Sequence, residues 1–96
     1  MFNEKLAKLT KSMVAAFALA DFDGPDSGSY YELGTTYEAL IGTEREAQQA
    51  REIAYAASQR LDASAYAQVQ SKLRQLYRDI DDWQRNVNMI ESELGI

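Results

Sequence analysis

The chain has no cysteine and no histidine. Without cysteine there is no disulfide framework, and no thiolate to hold a metal or carry redox chemistry. Without histidine the commonest general base and the commonest metal ligand go together, which excludes Ser-His-Asp and Cys-His arrangements and HExxH zinc sites. Proline occurs once, at Pro25, and glycine five times in 96 residues, so little interrupts helix formation. No stretch approaches the ~20 apolar residues that span a bilayer. Basic residues are missing from one long segment. Residues 21–42 carry Asp21, Asp23, Asp26, Glu32 and Glu38 with no Lys or Arg. Net charge is −5, and an acidic chain is a poor general binder of phosphate backbones. No cofactor, no direct nucleic-acid contact and no membrane contact is expected.

What is present is helical periodicity. Tyr66, Val69, Leu73, Leu76, Ile80, Trp83, Val87, Ile90 and Leu94 recur at alternating steps of three and four. That is heptad spacing, which keeps one stripe of a helix facing a partner helix. A long helix over 63–94 follows, about 48 Å long at 1.5 Å per residue. Residues 44–60 carry a second seam, Ala47, Ala50, Ala54 and Ala57, whose small side chains let a neighbouring helix approach closely. Leu73 and Trp83 of the long helix are suited to fill the space opposite. The two seams are out of phase by a five-residue step between Leu61 and Tyr66. Asp62 is a good N-cap there, which favours a helical hairpin turning at 62–64 over one bent helix from 44 to 94. A first helix spans 4–20, with Asn3 as N-cap and Leu6, Leu9, Met13 and Ala16 on its apolar face. The two shorter helices are then expected to lie end to end along the long one.

The segment between the first helix and Gly42 reads as an acidic loop, 21–42. Gly24, Pro25 and Gly28 break helices. Ser29 with Glu32, Thr35 with Glu38 and Thr43 with Glu46 have capping-box spacing. A short helix over 36–41 fits between them, with Gly42 at its C′ position. The whole is a single small all-α domain, 1–96, a helical bundle or hairpin with the C-terminal heptad helix as spine. Lysines leading into Met13–Ala20, and Ala18-Leu19-Ala20 before Asp21, mimic a signal peptide. Glu4 and the shortness of the apolar run argue against secretion. The expected location is the cytoplasm or a virion.

Chemistry-bearing constellations are few. Asp21, Asp23 and Glu32 would fall at positions one, three and twelve of a calcium loop, but Pro25 stands at a ligand position and Asp26 where glycine is required. No metal site is assigned. Asp79, Asp81 and Asp82 are interspersed with Arg78 and Arg85 at ordinary surface spacings, and no catalytic residue is assigned. Tyrosine is enriched where one end of a side chain is buried and the other wet, interfaces included. Asp21, Asp23, Asp26, Tyr30, Tyr31, Glu32 and Tyr37 are therefore the expected partner-binding residues.

The segment Leu73-Arg74-Gln75-Leu76-Tyr77-Arg78-Asp79-Ile80-Asp81-Asp82-Trp83-Gln84-Arg85-Asn86-Val87 resembles the C-terminal helix of small tailed-phage head-joining proteins, the lambda W-like group. In that group a leucine, an acidic-isoleucine step, a tryptophan and then Arg and Val follow one another on the helix. The resemblance covers about a fifth of the chain and implies assembly in rings at the portal. This chain departs from the group in its middle, where a β-hairpin and basic tails give way to an acidic loop and an alanine-rich helix, and no functional residue is carried over.

The expected function is that of a non-enzymatic structural or adaptor protein working through helical contacts with protein partners, as a homo-oligomer or part of a larger assembly such as a phage head–tail joint. The alternative is a small acidic inhibitor that uses Asp21–Glu38 to occupy a basic, nucleic-acid-binding surface of a target protein.

Overall fold

The computed structural model describes residues 2–22 and 24–96. These form three helices, α1 (Phe2–Ala20), α2 (Ser27–Gln59) and α3 (Ala63–Leu94), with no strand among the described residues. The fold is all-α. Its long pair is an antiparallel hairpin of α2 and α3, and α1 packs back along the first half of α2. The result is a rod of 56 × 20 × 17 Å.

Lengths determine this shape. At 1.5 Å per residue the 33 residues of α2 and the 32 of α3 each reach about 50 Å, while the 19 of α1 reach only about 28 Å. One half of the rod therefore has three helices and the other two. In the three-helix half, Ala16 of α1, Leu33, Tyr37 and Leu40 of α2, and Val87 and Ile90 of α3 form one buried cluster. Leu9, Met13, Ile80, Trp83 and Leu94 pack around it. In the two-helix half, Ala47, Ala50 and Ala54 meet Leu73 and Leu76, with Val69 and Ile80 beside them. Small side chains on one helix and large ones on the other let the two axes come close. Leu73 takes the role expected of it, whereas Trp83 packs on the other cluster.

Two contacts fix α1 against α2. The Phe17 ring fills the space where Gly34 has no Cβ; a methyl built there would lie 2.7 Å from the ring. Toward the other end, the Lys5 ammonium pairs with the carboxylate of Glu44, whose side chain is 6% exposed. A buried carboxylate needs such a partner.

Two sequence expectations are corrected here. Residues 21–42 are not a loop with a short helix at 36–41: only 21–26 connect the helices, and α2 runs unbroken through Gly28, Gly34 and Gly42. Leu33, Tyr37 and Leu40 bury their side chains, which outweighs about 1 kcal/mol per interior glycine. The threonines read as caps instead bond back to carbonyls of the preceding turn: Thr35 Oγ1 donates to Glu32 O at 2.9 Å and Thr43 Oγ1 to Ala39 O at 2.9 Å. Accordingly, the two shorter helices do not lie end to end along α3; α2 spans it fully and α1 lies beside one half. The heptad seam of α3 faces inward at Leu73, Leu76, Val87 and Ile90. Val69, Ile80, Trp83 and Leu94 are half-buried, and Tyr66 is exposed at the thin end.

The hairpin turn is made by Arg60, Leu61 and Asp62. Asp62 caps α3, its Oδ1 accepting from the Ala65 N–H at 3.0 Å. At the far end Gly95 closes α3 with φ 75°, the left-handed C-cap conformation that glycine adopts without cost.

Candidate functional site: an open helical groove

α1 packs on α2, its side chains reaching α3, and leaves uncovered the groove that α2 and α3 form near the hairpin tip. Its first described residue, Phe2, sits under the Arg51 guanidinium, 5.7 Å from ring centre to cation. Phe2, Lys5, Glu44, Arg51, Tyr77 and Ile80 line a depression there, so all three helices meet. Beyond Phe2 the groove continues as an open cavity of about 360 Å³. Its floor includes buried Ala54 and Leu73. α2 contributes Tyr55 and Ser58 to its lining, and α3 contributes Tyr66, Gln70 and Tyr77.

These positions follow from helical spacing. Arg51, Ala54, Tyr55 and Ser58 recur at three, one and three along α2, and Tyr66, Gln70, Leu73 and Tyr77 at four, three and four along α3, so each set holds one face. Arg51 is fixed in place: it donates to Gln48 Oε1 at 2.6 Å and to the Tyr77 hydroxyl at 3.2 Å. No carboxylate lines this cavity. The groove therefore presents tyrosine rings, hydroxyls, one amide and one guanidinium above an alanine–leucine floor.

Next to it, across Ser58 and Tyr66, lies the hairpin tip, lined by Ala57, Leu61 and Ala63. Leu61 has φ 56°, the only positive φ at a described non-glycine residue, and it is 90% exposed. A left-handed leucine costs roughly 1–2 kcal/mol. Its backbone closes α2: the Leu61 N–H donates to Ser58 O at 3.1 Å and the Asp62 N–H to Ala57 O at 3.0 Å, the bond pair that a left-handed residue makes at a helix C-terminus. Only its side chain is left without a place in the fold.

The residues expected to bind a partner do not form one surface. Asp21 and Asp26 are exposed at the α1–α2 connection, and Asp23 lies outside the described residues. Glu32 is exposed. Tyr31 is exposed too, its ring meeting Phe17 edge-on at 5.8 Å. Tyr30 packs against the core. Tyr37 belongs to the core and is corrected as a contact residue. It is buried, and its hydroxyl donates to Glu91 Oε1 at 2.5 Å. Burial, then the bond to Glu91 and its charge, push the Tyr37 phenol up to about 12. Sequence reasoning missed Tyr55, Tyr77 and Arg51 as a set. Their face becomes visible only once the length of α2 is known.

Among the described residues no group of His, Cys, Asp or Glu is arranged to hold a metal ion, and no helix is long and apolar enough to cross a membrane. No protein-family model matches the chain, and neither a curated protein nor a solved structure is significantly similar to it.

Proposed function

We propose that this chain is a non-enzymatic structural or adaptor protein that acts through helical protein–protein contacts as part of an oligomer. The observation that carries this reading is the open, tyrosine-lined groove between α2 and α3. An amphipathic hairpin with exposed tyrosines and an exposed leucine over its two-helix half has the composition of a contact surface rather than of a solvated one. The heptad helix that resembles those of tailed-phage head-joining proteins supports a place in a virion joint, within the same reading.

The acidic-inhibitor alternative draws on a different observation. Asp21, Asp26, Glu32 and Glu38 are exposed, with no base between residues 21 and 44. Light scattering across a concentration series separates the two. The joining reading expects mass above one chain. A monomer at every concentration that binds a basic protein with steep salt dependence would establish the inhibitor instead.

A further inference from the structure

The rod is electrically two-ended. Residues 51–78, the two-helix end, carry Arg51, Arg60, Lys72, Arg74 and Arg78 against Glu52 and Asp62, a sum of +3, so the rest of the chain sums to −8. The cation-bearing end holds the open groove, which no carboxylate lines. The acidic remainder holds a second open depression, near the middle of α3, lined by Asp79, Asp82, the half-buried Trp83 and Asn86. No base lines it. The carboxylates there have only exposed neighbours on their own helix: Gln75 donates to Asp79 at 3.0 Å, and Arg85 lies 3.7 Å from Asp82. Helical spacing places Asp79 and Asp82 roughly 140–160° around α3 from the row of Tyr66, Gln70 and Tyr77. The two surfaces thus follow one another along the rod and lie on opposite faces.

We propose that these two surfaces are halves of one interface, and that the occupant of the groove is the acidic α3 face of a second copy of this chain. Two arguments identify the occupant of the groove. Its lining offers a guanidinium, hydroxyls and an amide to carboxylates, while the Asp79–Asn86 face offers carboxylates around an indole edge. Groove-to-groove pairing, the two-fold alternative, would bring two +3 ends together. A contact between different patches of identical chains is heterologous and propagates head to tail, closing into a ring or continuing as a filament according to the rotation between copies. The proposal rests on the oligomeric reading above and adds to it the geometry of assembly.

The test uses two double variants of the full chain, each checked for an unchanged melting curve by circular dichroism. Tyr55→Glu with Ser58→Glu blocks the groove and leaves the acidic face intact. Asp79→Lys with Asp82→Lys blocks the face and leaves the groove intact. The parent is expected to show concentration-dependent mass that falls as salt rises. Each variant alone should associate at least ~10-fold more weakly than the parent. Mixed, the two should reassociate, because the face of the first meets the groove of the second. If the Asp79→Lys/Asp82→Lys protein self-associates like the parent, the acidic face is not in the interface and the proposal fails while the oligomeric reading stands. Failure of the mixture to reassociate also overturns the pairing of face with groove and leaves the oligomeric reading standing. A parent that stays monomeric overturns both.

Discussion

The ring of Phe17 occupies the place a side chain would take at Gly34, so α1 and α2 approach as closely as they do because one residue on α2 has no Cβ. The glycine looks like a helix breaker in the sequence and acts as a helix–helix contact in the fold.

This contact separates two glycines of one helix. Gly34→Ala gains about 1 kcal/mol of helix propensity but overpacks Phe17, at about 1–3 kcal/mol. Its melting temperature should fall. Gly42 has nothing within 4 Å of a Cβ, and Gly42→Ala should raise stability by about 1 kcal/mol. Equal effects at both positions in thermal melts would contradict the close approach.

The Lys5–Glu44 pair gives a double-mutant test. Lys5→Met leaves a buried carboxylate without its cation and should cost about 1–3 kcal/mol. Lys5→Met with Glu44→Met removes both charges and should recover most of that loss. Urea midpoints of the parent, the two single variants and the double variant measure the coupling; additive single effects would mean that the pair contributes nothing.

Tyr37 makes stability depend on alkaline pH. Its phenol titrates near 12 in the fold against an ordinary 10.0, so the neutral form is the one the folded chain favours. That stabilisation is complete below pH 10 and is lost as pH rises from 10 toward 12. Tyr37→Phe should remove this segment of the stability profile and cost about 1 kcal/mol at neutral pH. Ultraviolet titration of the parent should show a transition near 12 that the Tyr37→Phe chain lacks; its absence from the parent would refute the buried bond.

Leu61 should reveal a trade between stability and contact. Leu61→Gly relieves the left-handed backbone and is expected to stabilise the monomer by about 1 kcal/mol. If the hairpin tip contributes to assembly, the same variant assembles less readily than the parent. A destabilised Leu61→Gly chain would show that the leucine serves folding after all.

Half of this architecture could be read from the residues alone. The heptad from Tyr66 to Leu94 and the cap at Asp62 place α3 at 63–94, as observed. The apolar positions of α1 likewise identify it. The first half of α2 was hidden by two ambiguities. Glycines at 28, 34 and 42 read as breaks, although burial of Leu33, Tyr37 and Leu40 overrides their propensity. Thr-x-x-Glu spacing marks a helix start, yet a threonine inside a helix satisfies its hydroxyl equally well on a carbonyl one turn back. With that half assigned to a loop, α2 seemed no longer than α1. The groove is the difference between those lengths and could not be seen. Tyr37 was assigned to a partner surface for the same reason: its neighbour Glu91 is 54 residues away.

The uneven number of helices along the rod also divides its stability. Residues 27–44 of α2 are held from two sides, by α1 and by α3, while residues near Leu61 are held only across one hairpin interface. Free energies of local opening follow such differences in burial. Amide protection should therefore decline steadily from Leu40 and Val87 toward the tip, where backbone hydrogen bonds break without global unfolding. The end that carries the open groove is the end that can rearrange to fit what it holds, and the three-helix end stays folded as its anchor while it does so.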